Sequence, residues 1–189
     1  MAPTLYDEVA YPSHPFRQTH PDRLALPAAL FGLPYAPMTA ARVLEIGCGE
    51  AGNIIPMAVS YPGAAIVGFD LAASAIAAGQ QVVERLGLSN IRLEARDILE
   101  VGAEFGQFDY IIAHGVYSWV PEVVRDGVMR VIRACLAPDG LAFVSYNALP
   151  GCHMRMMIRE MVMYHLRGVE GFEHKHGGAF PEDHTAALG

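Results

Sequence analysis

Cysteine is scarce in this chain, and so are long apolar runs. Its 189 residues include three cysteines, Cys48, Cys135 and Cys152, which lie far apart and lack C-x-x-C spacing. They therefore indicate neither a disulfide framework nor a cysteine-based zinc site, and they fit a reducing compartment. The N-terminus carries acids and prolines, and no apolar run has the length of a membrane span. We therefore expect a cytoplasmic protein with no membrane contact.

An excess of basic residues is also lacking. Lysine and arginine total 13 against 20 aspartates and glutamates, for a net charge of −7, and the acids are spread along the chain. No nucleic-acid partner is expected from this balance. The tail carries His174, His176 and His184, but no cysteine or i, i+4 histidine pair accompanies them, so no metal site is predicted.

Short apolar strands alternate with helices from Ala41 onward, which predicts an α/β fold. We expect a Rossmann-like, doubly wound and mostly parallel sheet with helices on both faces. Strands are predicted over 41–46, 64–69, 90–95, 108–113 and 141–147, and helices over 53–61, 73–87, 121–136 and 151–167. The predicted organisation is an arm and helix acting as a lid (1–37), a catalytic domain (38–167) and a flexible tail (168–189).

Helix signals support this pattern. Thr19 or His20 can precede a helix that begins near Pro21 and stops at Gly32. Asn53 is expected to cap the helix that holds Pro56 in its first turn. The helix over 121–136 carries one apolar stripe, made of Val124, Val128, Val131, Ile132 and Cys135.

Three glycines follow the first predicted strand with the spacing G-x-G-x-x-G, at Gly47, Gly49 and Gly52. The motif alone is weak, because glycine is also ordinary chemistry at a strand-to-helix turn. Its context is stronger: the loop opens a helix, and Asp70 ends the next strand, where a carboxylate can accept both hydroxyls of a ribose. Enzymes that bind dinucleotides and enzymes that bind S-adenosylmethionine share this arrangement.

Three features favour S-adenosylmethionine. Glu45 beside the loop would repel a pyrophosphate, whereas adenosylmethionine carries an ammonium and a sulfonium. Asp97 follows the third strand and can accept from an adenine amino group, while the backbone and side chain of Ile98 frame the ring. A nicotinamide enzyme normally adds a second mononucleotide half and a substrate domain, for which 189 residues leave no room.

These motifs resemble those of class I S-adenosylmethionine-dependent methyltransferases, whose loop is written E/D-x-G-x-G-x-G. Glu45, Gly47 and Gly49 match this pattern, but Ala51 replaces the third glycine and Gly52 follows it. The later motifs agree in order and spacing, at Asp70, Asp97 and 108–121. Residues 6–25 and 144–165 further resemble a bacterial subgroup in which a methyltransferase regulatory domain follows and some members methylate protein lysines. The resemblance covers about residues 5–167.

The resemblance implies a cofactor site for S-adenosylmethionine, with S-adenosylhomocysteine as product. It places Gly47, Cys48 and Gly49 behind the methionine moiety, Asp70 at the ribose and His114 beside the methionyl group. The complete predicted set is Glu45, Gly47, Cys48, Gly49, Asn53, Asp70, Leu71, Asp97, Ile98 and His114.

Acceptor-side residues are expected at the carboxyl edge of the sheet, where open α/β sheets bind ligands. His114 is equally a cofactor contact or a structural hydrogen bond, and Trp119 is more simply explained as packing beneath its loop. Methyl transfer is an in-line displacement at an activated carbon, so alignment and water exclusion supply most of the rate, and no catalytic base is assigned. The candidates for catalysis are His114, Tyr117, Tyr146 and His153, and Trp119 and Asn147 are further candidates for substrate contact.

The N-terminal arm carries Tyr11, His14 and His20. One interpretation is a lid that closes over cofactor and acceptor. The alternative is a proline-stiffened segment whose histidines cap backbone groups. The resemblance favours the lid.

The last helix predicts a core stripe of Met154, Met157, Ile158, Met161, Val162 and His165, with Met156 and Met163 on the opposite side. Apolar residues on both sides imply a covering partner. The family's sheet ends with two further strands beside the fifth, and the sequence after Arg167 has weak strand character. We therefore expect a bare fifth-strand edge, as in a fragment, a homo-oligomer or a subunit with a partner chain.

Together these features predict a methyltransferase acting on a nitrogen or oxygen nucleophile of a protein lysine or a small molecule. The alternative is a truncated or non-catalytic module that binds cofactor and a partner protein.

Overall fold

The computed structural model describes residues 13–165. Within them, short 3-10 turns accompany a regular alternation of strands and helices. Strands are β1 (Arg42–Ile46), β2 (Ala65–Asp70), β3 (Ile91–Ala95), β4 (Phe108–Ala113) and β5 (Leu136–Val144). Helices are α1 (Pro21–Leu30), α2 (Ile55–Ser60), α3 (Ala73–Leu86), α4 (Glu122–Cys135) and α5 (His153–His165).

The sheet has five strands in the order β3-β2-β1-β4-β5, and every neighbouring pair is parallel. The chain crosses from β3 at one edge to β4 beside β1. The carboxyl ends of β1 and β4 therefore form the switch point at which open α/β sheets bind ligands. This topology confirms the predicted Rossmann-like fold.

Two apolar clusters cover the two faces of the sheet, because successive strand residues point to opposite sides. Val43 packs in the cluster that holds α2 residues such as Met57, and its neighbour Leu44 packs in the cluster that holds Val128 of α4. The stripe predicted on α4 is confirmed: four of its members are buried and Val124 packs against that cluster. Within residues 13–165, no helix has the combined length and apolar character that crossing a bilayer requires.

Two local predictions are wrong. The fifth strand was expected over 141–147, but β5 begins at Leu136, which pairs with Phe108 before a shift in register, and it ends at Val144. The cap of α2 is Ile54, which makes no side-chain cap bond, because the side chain of Asn53 is used elsewhere.

The predicted core stripe of α5 is also wrong. Its apolar members are exposed, with Met154 at 65% and Met161 at 63% exposure, and His165 is exposed as well. Met156 on the opposite side is half-buried. The less exposed side of the helix is therefore the one opposite the predicted core stripe. Met163's side chain and residues 166–189 lie outside the described part of the chain.

Candidate active site

The glycine loop turns at the carboxyl end of β1. Gly47 and Gly49 have φ of 69° and 54°, values that favour glycine. A Cβ on Gly47 would lie 2.5 Å from the Val116 side chain, so the loop approaches the segment after β4 closely. Ala51, which stands where the family pattern has its third glycine, also has a positive φ, of 62°. The backbone thus keeps the turn even though this residue departs from the pattern.

Asp70 at the end of β2 fixes the loop. Its Oδ2 accepts from the Gly49 N–H at 2.9 Å, and its Oδ1 accepts from the Ala72 N–H at 2.9 Å. An ionised carboxylate has about four acceptor positions, so both oxygens keep capacity for further donors. The predicted ribose contact is compatible with this geometry, and the half-buried Leu71 follows directly.

Glu45 lies inside the protein at the end of β1, with 4% of its surface exposed. Its Oε1 accepts from the Asn53 side-chain amide at 2.6 Å, while its Oε2 has no partner. Burial raises the pKa of Glu45 to about 8; the Asn53 bond opposes this rise and nearby Asp70 adds to it. A carboxyl in this position gains stability from a donor that also brings positive charge.

The raised pKa of Glu45 changes the expected effect of this residue on a phosphate-bearing ligand. Glu45 is not the fixed negative charge expected from the sequence, because a pKa of about 8 leaves the carboxyl largely protonated at neutral pH. Repulsion of a pyrophosphate is therefore weaker than expected before binding. Selection for a cation arises instead because a cationic ligand can restore the charge on Glu45.

His114 follows β4 and meets the same edge. Phe16 packs edge-on to its ring with centroids 4.3 Å apart, and the Phe143 ring lies 5.9 Å away. Burial lowers the pKa of His114, which favours the neutral imidazole. Its Nδ1 is buried without a partner. Within residues 13–165, Glu45 Oε2 and His114 Nδ1 are the two buried side-chain polar atoms that lack a hydrogen bond.

Both partnerless atoms belong to the carboxyl ends of adjacent strands, at the switch point. Buried polar groups are normally satisfied, so such a pair indicates a place where a polar ligand supplies the missing partners.

Comparison with known proteins shows the family of this domain. Residues 44–142 match the family model described as a methyltransferase domain. The chain belongs to the methyltransferase domain family. The cofactor of this family is S-adenosylmethionine.

The relatives extend the likeness beyond the family model. The uncharacterized proteins RP028 and RP789 of Rickettsia prowazekii are 43% and 45% identical to this methyltransferase domain over 160 residues, which are 85% of the chain. The solved structure of PKMT2 from Rickettsia typhi in complex with AdoHcy is similar with a TM-score of 0.78 and 42% identity over 82% of the chain. The chain spans 64% of RP028, 29% of RP789 and 30% of the PKMT2 chain.

The other predicted cofactor residues of the methyltransferase domain differ in how much of each residue is available to a ligand. Asp97 is half-buried and its Oδ1 accepts from the Leu99 N–H at 2.9 Å, so it caps a turn beside β3. The Ile98 side chain packs in the core, which leaves its backbone for the predicted adenine contact. The Cys48 side chain is buried near the Cα of Gly68, and burial raises the pKa of its thiol. Its predicted contribution to the site is therefore limited to the backbone.

Three acceptor-side candidates, Trp119, Tyr146 and His153, are exposed in the segments that follow β4 and β5, and we refer to them as the open rim. Trp119 is 53% exposed and lies under the Arg159 guanidinium, 5.5 Å from the ring centroid, so it does not pack beneath its loop as expected. Tyr146 is 66% exposed and lies past the end of β5. His153 is exposed at the start of α5, and the half-buried Tyr117 packs against the core.

Asn147 joins two parts of this rim. Its N–H donates to Ser118 Oγ at 2.7 Å, and its Oδ1 accepts from the Cys152 thiol at 3.7 Å. The segments after β4 and β5 are thereby fixed to each other beside the site.

The arm contacts the glycine loop through residues that sequence reasoning missed. Ser13 Oγ accepts from the Gly52 N–H at 2.8 Å, and the Phe16 N–H donates to Asn53 Oδ1 at 2.9 Å. His20 instead caps α1, accepting from the Asp22 N–H at 3.2 Å, which is the alternative considered for the arm histidines. His14 is exposed, and Tyr11 lies outside the described residues. Nothing local in the sequence signals these long-range contacts.

Proposed function

We propose that this domain transfers the methyl group of S-adenosylmethionine to an amine nitrogen of a protein, namely a lysine side chain. Binding of the cofactor at this site is supported by two buried atoms that lack a hydrogen bond, Glu45 Oε2 and His114 Nδ1, beside the glycine loop. A protein lysine as acceptor is supported by the open rim and by the resemblance to a subgroup in which some members methylate protein lysines.

The residues of the site suit the cofactor. Glu45 has a free oxygen for the ammonium of the methionine moiety, and Asp70 retains acceptor capacity for ribose hydroxyls. Gly47 and Gly49 present backbone without side chains at the turn. When bound, S-adenosylmethionine supplies a methyl group on a positively charged sulfur.

The rim suits a large acceptor better than a small one. Trp119, Tyr146 and His153 are exposed beside the carboxyl edge, and the described residues do not enclose them. A protein segment can cover such a surface and exclude water from the reaction. The relative PKMT2 supports the same assignment through its 42% identity.

The chemistry needs alignment more than acid–base assistance. The lone pair of an unprotonated amine attacks the methyl carbon, the sulfur–carbon bond breaks, and the bonding pair stays on sulfur. The amine proton then leaves to solvent or to a neutral acceptor. His114, whose pKa is lowered by burial, lies at this edge, and Tyr117 follows on the same segment, so both can orient the amine.

Radiolabelled methyl transfer tests the proposal. The protein is incubated with labelled S-adenosylmethionine and either lysate proteins or a pool of small molecules. We expect label in protein, released as methyllysine on hydrolysis, and none with Asp70→Ala. Label confined to small molecules would contradict the lysine acceptor.

The exposed stripe of α5 favours a second candidate, a module that binds cofactor and a partner chain without catalysis. Met154, Met157, Ile158, Met161 and Val162 are each at least 45% exposed on this helix. Cofactor binding without transfer to either pool, together with association seen by light scattering, would favour this candidate.

A further inference from the structure

We infer that Asn53 is a positioning residue that couples docking of the N-terminal arm, residues 13–19, to cofactor binding at Glu45. This inference rests on the proposed function, because it assigns a partner to the site that holds the cofactor.

Asn53 is buried, with 4% of its surface exposed, and every polar group of its side chain is engaged. Its Nδ2 donates to Glu45 Oε1 at 2.6 Å and to Thr19 Oγ at 3.0 Å. Its Oδ1 accepts from the Phe16 N–H at 2.9 Å. One side chain therefore holds the site carboxyl on one side and the arm on the other.

The arm residues are fixed to each other around this contact. Thr19 is fully buried, and its hydroxyl donates to the Phe16 carbonyl at 2.9 Å. The Phe16 ring then packs on His114. The arm thus reaches both residues that carry a partnerless buried atom, Glu45 through Asn53 and His114 through direct contact.

Gly52 leaves space for Ser13 of the same segment. Its φ does not require glycine, but a Cβ there would lie 2.6 Å from Ser13 Oγ and 2.8 Å from the Ser13 carbonyl carbon. The last glycine of the G-x-G-x-x-G run thereby serves arm docking. This close approach explains why glycine stands at position 52, although the positive φ of the turn belongs to Ala51.

Coupling follows from the shared amide. A ligand that orders Glu45 also orders Asn53, and an ordered Asn53 holds Thr19 and the Phe16 N–H in place. By linkage, a docked arm must raise cofactor affinity by the factor by which cofactor stabilises docking. If Asn53 were only structural, it would stabilise the fold, but arm docking and cofactor binding would not affect each other.

The test uses S-adenosylhomocysteine and a matched pair of arm variants, Thr19→Val and Thr19→Ser. Valine keeps the shape but loses the hydroxyl, so we expect the affinity to fall about three- to tenfold, whereas serine keeps most of it. Calorimetry measures the affinity, and circular dichroism checks that both variants fold. Equal affinities for two folded variants would overturn the coupling.

Amide hydrogen exchange on the unaltered protein gives a second readout. Saturating S-adenosylhomocysteine should slow exchange at the Phe16 N–H at least fivefold, the lower end of typical coupling. The same addition to Glu45→Gln should slow it less than twofold. Binding with unchanged Phe16 exchange would overturn the coupling alone, whereas failure of the unaltered protein to bind would overturn the proposed function with it.

Discussion

The β1–β4 strand pair carries a carboxyl group at each end, and the surroundings of the two groups differ sharply. At the amino end, Asp109 accepts from the Arg42 backbone N–H at 2.8 Å and from its guanidinium at 2.7 and 3.1 Å. These bonds lower the pKa of Asp109. At the carboxyl end, Glu45 has one donor, an oxygen without a partner and a raised pKa.

The contrast separates stability from function within one pair of strands. Asp109 is satisfied by the chain itself, so nothing about it calls for a ligand. Glu45 is buried and incompletely satisfied, which costs folding free energy unless something else supplies a donor. Within the described residues, the buried side-chain polar atoms that lack a hydrogen bond therefore lie at the end of the sheet where α/β folds bind ligands.

Asp70→Ala should produce the largest effect. It removes two oxygens predicted to hold the ribose and also frees the Gly49 N–H. Hydrogen bonds to charged groups contribute about 1.5–3 kcal/mol each, so affinity for S-adenosylhomocysteine should fall at least about 30-fold by calorimetry. Asp109→Ala at the opposite end is the control and should bind normally. Equal losses of affinity in both variants would show that the two ends of the strand pair do not differ in ligand binding.

Gly47→Ala and Gly49→Ala separate conformational strain from steric clash. Both residues have positive φ, but only Gly47 has a neighbour, Val116, within 4 Å of an added Cβ. We expect Gly49→Ala to lower the free energy of unfolding by about 1–2 kcal/mol through the left-handed conformation. Gly47→Ala should cost about 1–3 kcal/mol more through overpacking. Urea denaturation measures both, and a smaller loss at Gly47 would show that the loop does not lie against Val116.

The pH dependence of unfolding tests Glu45 in the cofactor-free protein. Its pKa rises from 4.5 to about 8 on folding, so the folded state holds the proton more tightly between these values. Stability should therefore decrease as pH rises from about 5 to 8, with a contribution approaching about 1.4 kcal/mol per pH unit. Glu45→Gln should lack this contribution. Parallel pH profiles of the two proteins would mean that Glu45 is not buried as described.

Asp109→Asn should have the smallest effect. The Arg42 side chain is 48% exposed, so losing this pair should cost only about 1 kcal/mol at neutral pH. Because the pKa of Asp109 is lowered in the folded state, its stabilisation is present above its ordinary value of 3.8 and is lost as pH falls below about 4. Thermal unfolding should show the two proteins converging in acid. A cofactor-affinity change in this variant would contradict a purely structural role.

The sequence predicted what local periodicity controls. Alternating apolar segments gave the parallel sheet, and the stripe on α4 gave its buried face, because both patterns follow directly from backbone geometry. The sequence also predicted that Asp70, the glycine loop and His114 lie at the carboxyl ends of strands, because strand-to-helix turns carry a recognisable spacing. Their contacts with a cofactor stay predictions.

Long-range contacts escaped prediction. Asn53 looks like a helix cap from its neighbours, but its amide instead bonds to Glu45 and to the arm at the same time. One signal could have found it: a glutamate within an apolar strand needs a nearby donor. The α5 stripe has core periodicity, yet its burial depends on what packs against it, which periodicity does not encode.

We propose that Glu45 meets the positive charge of the cofactor, and the number of protons exchanged on binding tests this pairing. Titrating S-adenosylhomocysteine at pH 7 in two buffers of different ionisation enthalpy measures the protons exchanged on binding. We expect release of close to one proton, because the ligand ammonium restores the charge on Glu45, and no release with Glu45→Gln. Binding without proton release, or NADH binding as tightly, would contradict it.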